Sequence, residues 1–107
     1  MGWAFLFIAG LLEIAMALAL KSSAGWTRLL PSALGIAAAV ASVFFLTHAL
    51  KHLPTGVAYA IWTGMGSVGV ALIGILWLGE QATPLRLGCI GLIVAGMIGL
   101  RLSDPTV

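Results

Sequence analysis

One of the three acidic residues of this 107-residue chain stands where no charge is expected, for Glu13 lies about ten residues into an apolar run that begins near Trp3. At helical rise that depth is ~15 Å, close to the midplane of a ~30 Å hydrocarbon core. A carboxylate there costs a few kcal/mol or more to insert, so its default reading is functional. A proton and an organic cation can each neutralise such a group, and each excludes the other. That competition is the minimal chemistry of antiport: bind the proton, release the cation, carry the proton back. The structural alternative is a protonated Glu13 hydrogen-bonded to a neighbouring helix. A neutral Gln would serve that purpose equally well, and no intramembrane Lys or Arg is present as a partner.

Helical spacing places Leu6, Ala9, Gly10, Met16, Ala17 and Leu20 on the face of Glu13. Gly10 and Ala17 leave room around the carboxylate or let helices approach, and Met16 is a soft, adaptable wall. Tyr59, Trp62, Thr63 and Gly66 share a helical face further along the chain. Aromatic faces attract organic cations, by ~2 kcal/mol or more when desolvated. Tyr59 and Trp62 equally suit an interfacial aromatic belt, and the helix alone does not separate the two roles. Ser42 is placed to hydrogen-bond Glu13 or, as membrane serines commonly do, its own backbone. Trp3, Trp26 and Trp77 read as interfacial anchors, and His48 and His52 as interfacial. The single cysteine, Cys89, allows no intrachain disulfide and no metal quartet, so neither metal nor cofactor is expected.

These residues need four membrane spans to hold them. The chain is 62% hydrophobic and 7% charged, against ~25% charged in a typical soluble domain. Soluble enzyme, disordered tail and nucleic-acid binder are excluded on that basis, and the net charge of +2 contains no cluster able to track phosphates. Apolar runs long enough to cross a bilayer occupy about 3–20, 33–50, 57–78 and 85–102, each ended by charge, Pro or Gly. The last stops at Ser103-Asp104-Pro105. The first run lacks the preceding basic segment of a secretion signal, and Leu6 stands where a myristoylation motif wants Ser or Thr. The expectation is one all-α domain over 1–107, four transmembrane helices running up-down-up-down through short loops.

Basic residues are almost evenly divided between the two sides. The first and third loops carry Lys21, Arg28 and Arg86; the second loop and tail carry Lys51 and Arg101. Near-balance predicts insertion in both orientations, so that opposite copies pair as an antiparallel homodimer. Four short helices also leave little space for a solute cavity and a moving wall, whereas a dimer supplies eight. Gly88, Gly91, Ala95 and Gly99 form a small-residue stripe on the fourth span, a candidate dimer seam. Gly64, Gly66 and Gly69 crowd the third span, where they permit a hinge or close packing.

With Glu13 in the first span and the run Pro54-Thr55-Gly56-Val57-Ala58-Tyr59-Ala60-Ile61-Trp62-Thr63-Gly64 opening the third, the chain resembles the small multidrug resistance transporters. The resemblance covers essentially the whole length, including Gly25-Trp26-Thr27-Arg28-Leu29 and Pro31-Ser32. It implies an antiparallel homodimer of the bacterial inner membrane that exchanges protons for organic cations, a transporter and not an enzyme. It further implies that Glu13 binds both proton and substrate, that Tyr59 and Trp62 line the cavity near Ser42, and that the fourth helices make the dimer contact.

Guanidinium exporters within that family resemble this chain at Ala17-Leu18-Ala19-Leu20-Lys21, Trp62-Thr63-Gly64 and Ile98-Gly99-Leu100-Arg101. They usually carry Trp where this chain has Met16. Methionine lacks the indole donor and deforms more easily, so the expectation is a guanidinium-type pocket opened to substituted guanidiniums or hydrophobic quaternary ammoniums. The alternatives are a broad-range cation exporter, half of a heterodimer, a passive channel, or a non-transporting subunit whose Glu13 pairs with a partner's cation.

Overall fold

The computed structural model describes residues 2–103; the Asp104-Pro105 stop expected after the fourth span lies outside them. Four helices use nearly all of the described chain: α1 (Gly2–Ser22), α2 (Leu29–Ala49), α3 (Thr55–Trp77) and α4 (Pro84–Ser103). Each is long and apolar enough to cross a bilayer. This follows from composition, since apolar runs of this length satisfy every interior backbone group within the helix when no water is available.

Helix α2 begins at Leu29, ahead of the expected start at 33. Pro31 stands in its first turn, where its missing N–H would have had no intrahelical partner. The loop before it is a built turn around buried Ser23, whose hydroxyl donates to the Leu20 carbonyl (2.6 Å) and accepts from the Trp26 amide (3.1 Å). Ala24, Gly25 and Trp26 all take positive φ there, at 51°, 71° and 74°.

The helices do not close into a round bundle. They form a slab of 44 × 35 × 16 Å, with α1 packed chiefly on α2 and then on α3, and α4 attached mainly to α3. α2 and α3 scarcely meet. Glycines set the closest approaches: a Cβ at Gly35 would meet Leu20 of α1, and one at Gly64 would meet Met97 of α4.

Buried hydrophobic residues gather at one end of the slab. Leu6, Ala9, Leu46, Ala49, Leu53, Ala58 and Ile61 come from the start of α1, the end of α2, the second loop and the start of α3. Beyond Glu13, toward the first and third loops, the buried described residues are small or polar: Ser23, Ser32, Gly35 and Gly74. Large buried side chains therefore lie on one side of the carboxylate, and close glycine contacts such as Gly35 on Leu20 hold the other. Lipid replaces water around the exposed apolar surface, so only packed positions carry a cavity cost. Leu6→Ala is expected to lower stability in lipid micelles by roughly 2 kcal/mol or more, and Leu34→Ala, at an exposed position, by much less. Equal losses for the two would refute this placement of the core.

Candidate functional site

Glu13 sits near the midpoint of α1, and Gly66 is the middle residue of α3. The two meet: a Cβ at Gly66 would overlap the Glu13 carboxylate. Absence of a side chain at Gly66 is thus what admits the acid between the helices. Glu13 is half-buried, and its Oε2 is covered and has no hydrogen-bond partner among the described residues. No salt bridge engages it there either. Ile14, the next residue, inserts against Gly69 in the same manner.

Ser42 is buried and does not bond Glu13, nor its own helix. Its hydroxyl donates across to the Ala9 carbonyl of α1 (2.7 Å) and accepts from Trp62 Nε1 of α3 (2.9 Å). A serine hydroxyl has one hydrogen, so that donation leaves none for a carboxylate. Ala9 is four residues before Glu13, and its carbonyl is the one to which helical geometry assigns the Glu13 amide. Ser42 therefore ties the Trp62 indole to the turn of α1 that carries the acid.

Trp62 stacks on Tyr59, with ring centroids 5.3 Å apart and an interplanar angle of 29°. Tyr59 is half-exposed, and Trp62 spends its N–H inside the protein, unlike a belt residue that turns this group toward headgroups. Thr63 donates to the Tyr59 carbonyl of its own helix (2.9 Å), as helical threonines commonly do. Met16 is half-buried one turn beyond Glu13.

The structure brings Glu13, Gly66, Ser42 and Trp62 into one connected group, with Tyr59 stacked on its edge. Gly10 reaches it indirectly, since Met65 of α3 lies over it where a Cβ would stand. Met65 escaped sequence reading because a methionine in an apolar run carries no signal of its own; its place one residue before Gly66 was the available hint. Gly64, Gly66 and Gly69 each receive a side chain from a neighbouring helix, and α3 runs unbroken through them. Gly88, Gly91, Ala95 and Gly99 are all exposed; α4 buries no residue, and a Cβ at any of its three glycines in this stripe would meet nothing within 4 Å. Trp26 and Trp77 are exposed near helix ends, as anchors would be. Trp3 differs, being half-buried beneath the Arg101 guanidinium, 4.2 Å from the ring centroid. His48, expected at the interface, packs its ring against Phe44 at 4.5 Å and Phe5 at 5.5 Å.

Two substitutions test this geometry. Ser42→Ala leaves the Trp62 N–H unpaired and is expected to cost ~1–3 kcal/mol of stability, with a shift in tryptophan fluorescence; an unchanged spectrum would contradict the tie. Gly66→Ala displaces the flexible end of Glu13 rather than backbone, so the protein should fold while cation binding weakens. Unaltered binding would show that the contact does not place the acid.

The family model for the Small Multidrug Resistance protein matches residues 1–93. Among similar proteins, the guanidinium exporter of Citrobacter freundii is 56% identical over 103 residues, covering 96% of this chain and 98% of that protein. The guanidinium exporter of Salmonella typhimurium strain LT2 is 57% identical over 103 residues, covering 96% and 98%. That of Yersinia pseudotuberculosis is 53% identical over 104 residues, covering 97% and 100%. With four spanning helices and matches along nearly its full length, the chain is a multi-pass protein of the bacterial inner membrane and belongs to the small multidrug resistance family.

Proposed function

We propose that this protein is a proton-coupled antiporter that exports guanidinium and substituted guanidinium cations as an antiparallel homodimer. The observation that carries the reading is the Glu13 carboxylate, set at mid-membrane against Gly66 with Oε2 covered and unpaired. Such an acid rests either protonated or beside a cation, and no described side chain supplies that cation. The relatives named as guanidinium exporters support the substrate class.

In this reading Glu13 binds proton and substrate in turn, and the stacked Tyr59 and Trp62 offer their faces to a planar cation. Ser42 fixes the indole and leaves its ring free. The unequal share of large buried side chains to either side of Glu13 suits a site open to one side at a time. Opposite orientation of two copies then gives each state an equivalent facing the other way, and two Glu13 side chains would titrate as a pair. The open small-residue stripe of α4 is the proposed contact between copies. Gly64, Gly66 and Gly69 are the proposed positions where α3 adjusts its packing as the site changes sides.

Met16 sets the breadth of selectivity. Without an indole there, the pocket admits bulkier cations, so hydrophobic quaternary ammoniums are included among the proposed substrates.

Solid-supported-membrane currents from reconstituted protein test these assignments, with guanidinium, phenylguanidinium and tetrapropylammonium as challenges. Currents for guanidinium and phenylguanidinium, and a smaller one for tetrapropylammonium, are expected, all abolished in Glu13→Gln. No Glu13-dependent current for any cation would overturn the transporter reading in favour of a partner subunit. Met16→Trp should reduce the bulky-cation current several-fold while sparing guanidinium, and unchanged selectivity would remove Met16 from the specificity account.

A further inference from the structure

The end of the slab that holds the start of α1 and the end of α4 contains a second arrangement, which the proposed transport cycle does not use. A groove of about 360 Å³ lies there among α1, α3 and α4, walled by Phe7, Met65, Met97 and Ile98 and closed at its outer end by Trp3 and Arg101. Ile98, beside the small-residue stripe of α4, is exposed on the single chain, so the groove is open along that edge. It runs from the first turn of α1 to the level of Met65 over Gly10, ~10 Å of helical rise from Trp3.

Among the described residues the closed end is cationic and short of acceptors. Arg101 lies over the Trp3 ring at 4.2 Å, which fixes the guanidinium without neutralising it. Arg101 Nη1 and Trp3 Nε1 are both buried without an acceptor among the described residues. Lys51 and His52 lie exposed at this same end, and no Asp or Glu among the described residues does; Glu13 is at mid-span, and Glu80 is beyond α3 at the opposite end. Buried donors of this kind ordinarily find partners, and a planar guanidinium matches an oxyanion geometrically.

We propose that this corner binds the phosphate of an anionic phospholipid at Arg101, with an acyl chain of that lipid lying in the groove. The chemistry follows from the two halves of the site. An apolar trough about ten ångströms deep that starts at the headgroup level suits a chain, and a cation with no acid beside it among the described residues suits a phosphate. A lipid seated there touches Met65, whose other side covers Gly10 beside the Glu13 turn. Lipid composition thereby reaches the packing of α1 on α3.

Thermal-shift titrations of delipidated protein in detergent test the site, using dioleoylphosphatidylglycerol and dioleoylphosphatidylcholine as probes. The unmodified protein should prefer the anionic lipid by about five-fold, the effect of one basic residue near a membrane surface, and high salt should erase that preference. Arg101→Gln should remove the preference, whereas Arg86→Gln, an exposed position at the other end of α4, should keep it. Equal affinity of the unmodified protein for the two lipids would overturn the proposal without any variant having to fold. Full competition by inorganic phosphate would overturn it in favour of a small-anion site. An Arg101→Gln protein that keeps its lipid preference but loses its dimer would instead assign the groove to a second copy of the chain. None of these outcomes depends on transport, so the site stands or falls apart from the antiport reading.

Discussion

A carboxylate held at the middle of a membrane span with no partner among the described residues has two ways to rest, as the neutral acid or beside a cation, and the packing of α1 on α3 is organised around that constraint. Gly66 clears the space for the Glu13 side chain, and Gly69 clears the next position for Ile14. Larger residues at either position would force the helices apart or push the acid toward lipid. Since lipid tails are as apolar as the side chains, helix association here gains little from hydrophobic transfer and relies on close contact and internal hydrogen bonds. The Trp62–Ser42–Ala9 chain supplies those bonds across three helices one turn from the acid. What positions the site and what holds the fold are therefore largely the same contacts.

The same economy explains why the single chain is thin. A slab 16 Å deep with α4 on its margin buries few side chains, and α4 buries none. Its glycine face is open along its length. In the proposed dimer a second copy covers that face, leaving α1, α2 and α3 to surround the carboxylate. Hinge and contact readings of the α3 glycines also meet here: residues that accept neighbouring side chains closely are the ones at which a small shift changes packing most.

Much of this was legible in the sequence, and the remainder fails for identifiable reasons. Four apolar runs gave four helices because hydropathy is the strongest signal a membrane chain carries. Glu13 was legible because a charge at that depth stands out against its surroundings. α2 starts at Leu29, ahead of the apolar run from about 33, because a first turn tolerates a proline such as Pro31. Ser42 illustrates the harder limit. Its partners depend on the rotation of α2 against α1 and α3, and no periodicity within α2 encodes which neighbouring carbonyl it will face. Met65 and the Arg101–Trp3 stack belong to that class too, being defined by contacts between helices distant in sequence.

Shared use of one carboxylate by proton and cation is the central claim, and proton release on binding tests it most directly. Guanidinium added to weakly buffered, detergent-solubilised protein near the midpoint of Glu13 titration should acidify the solution in proportion to site occupancy, and Glu13→Gln should release nothing. Saturable guanidinium binding with no proton released at any pH, or release that persists in Glu13→Gln, would contradict it.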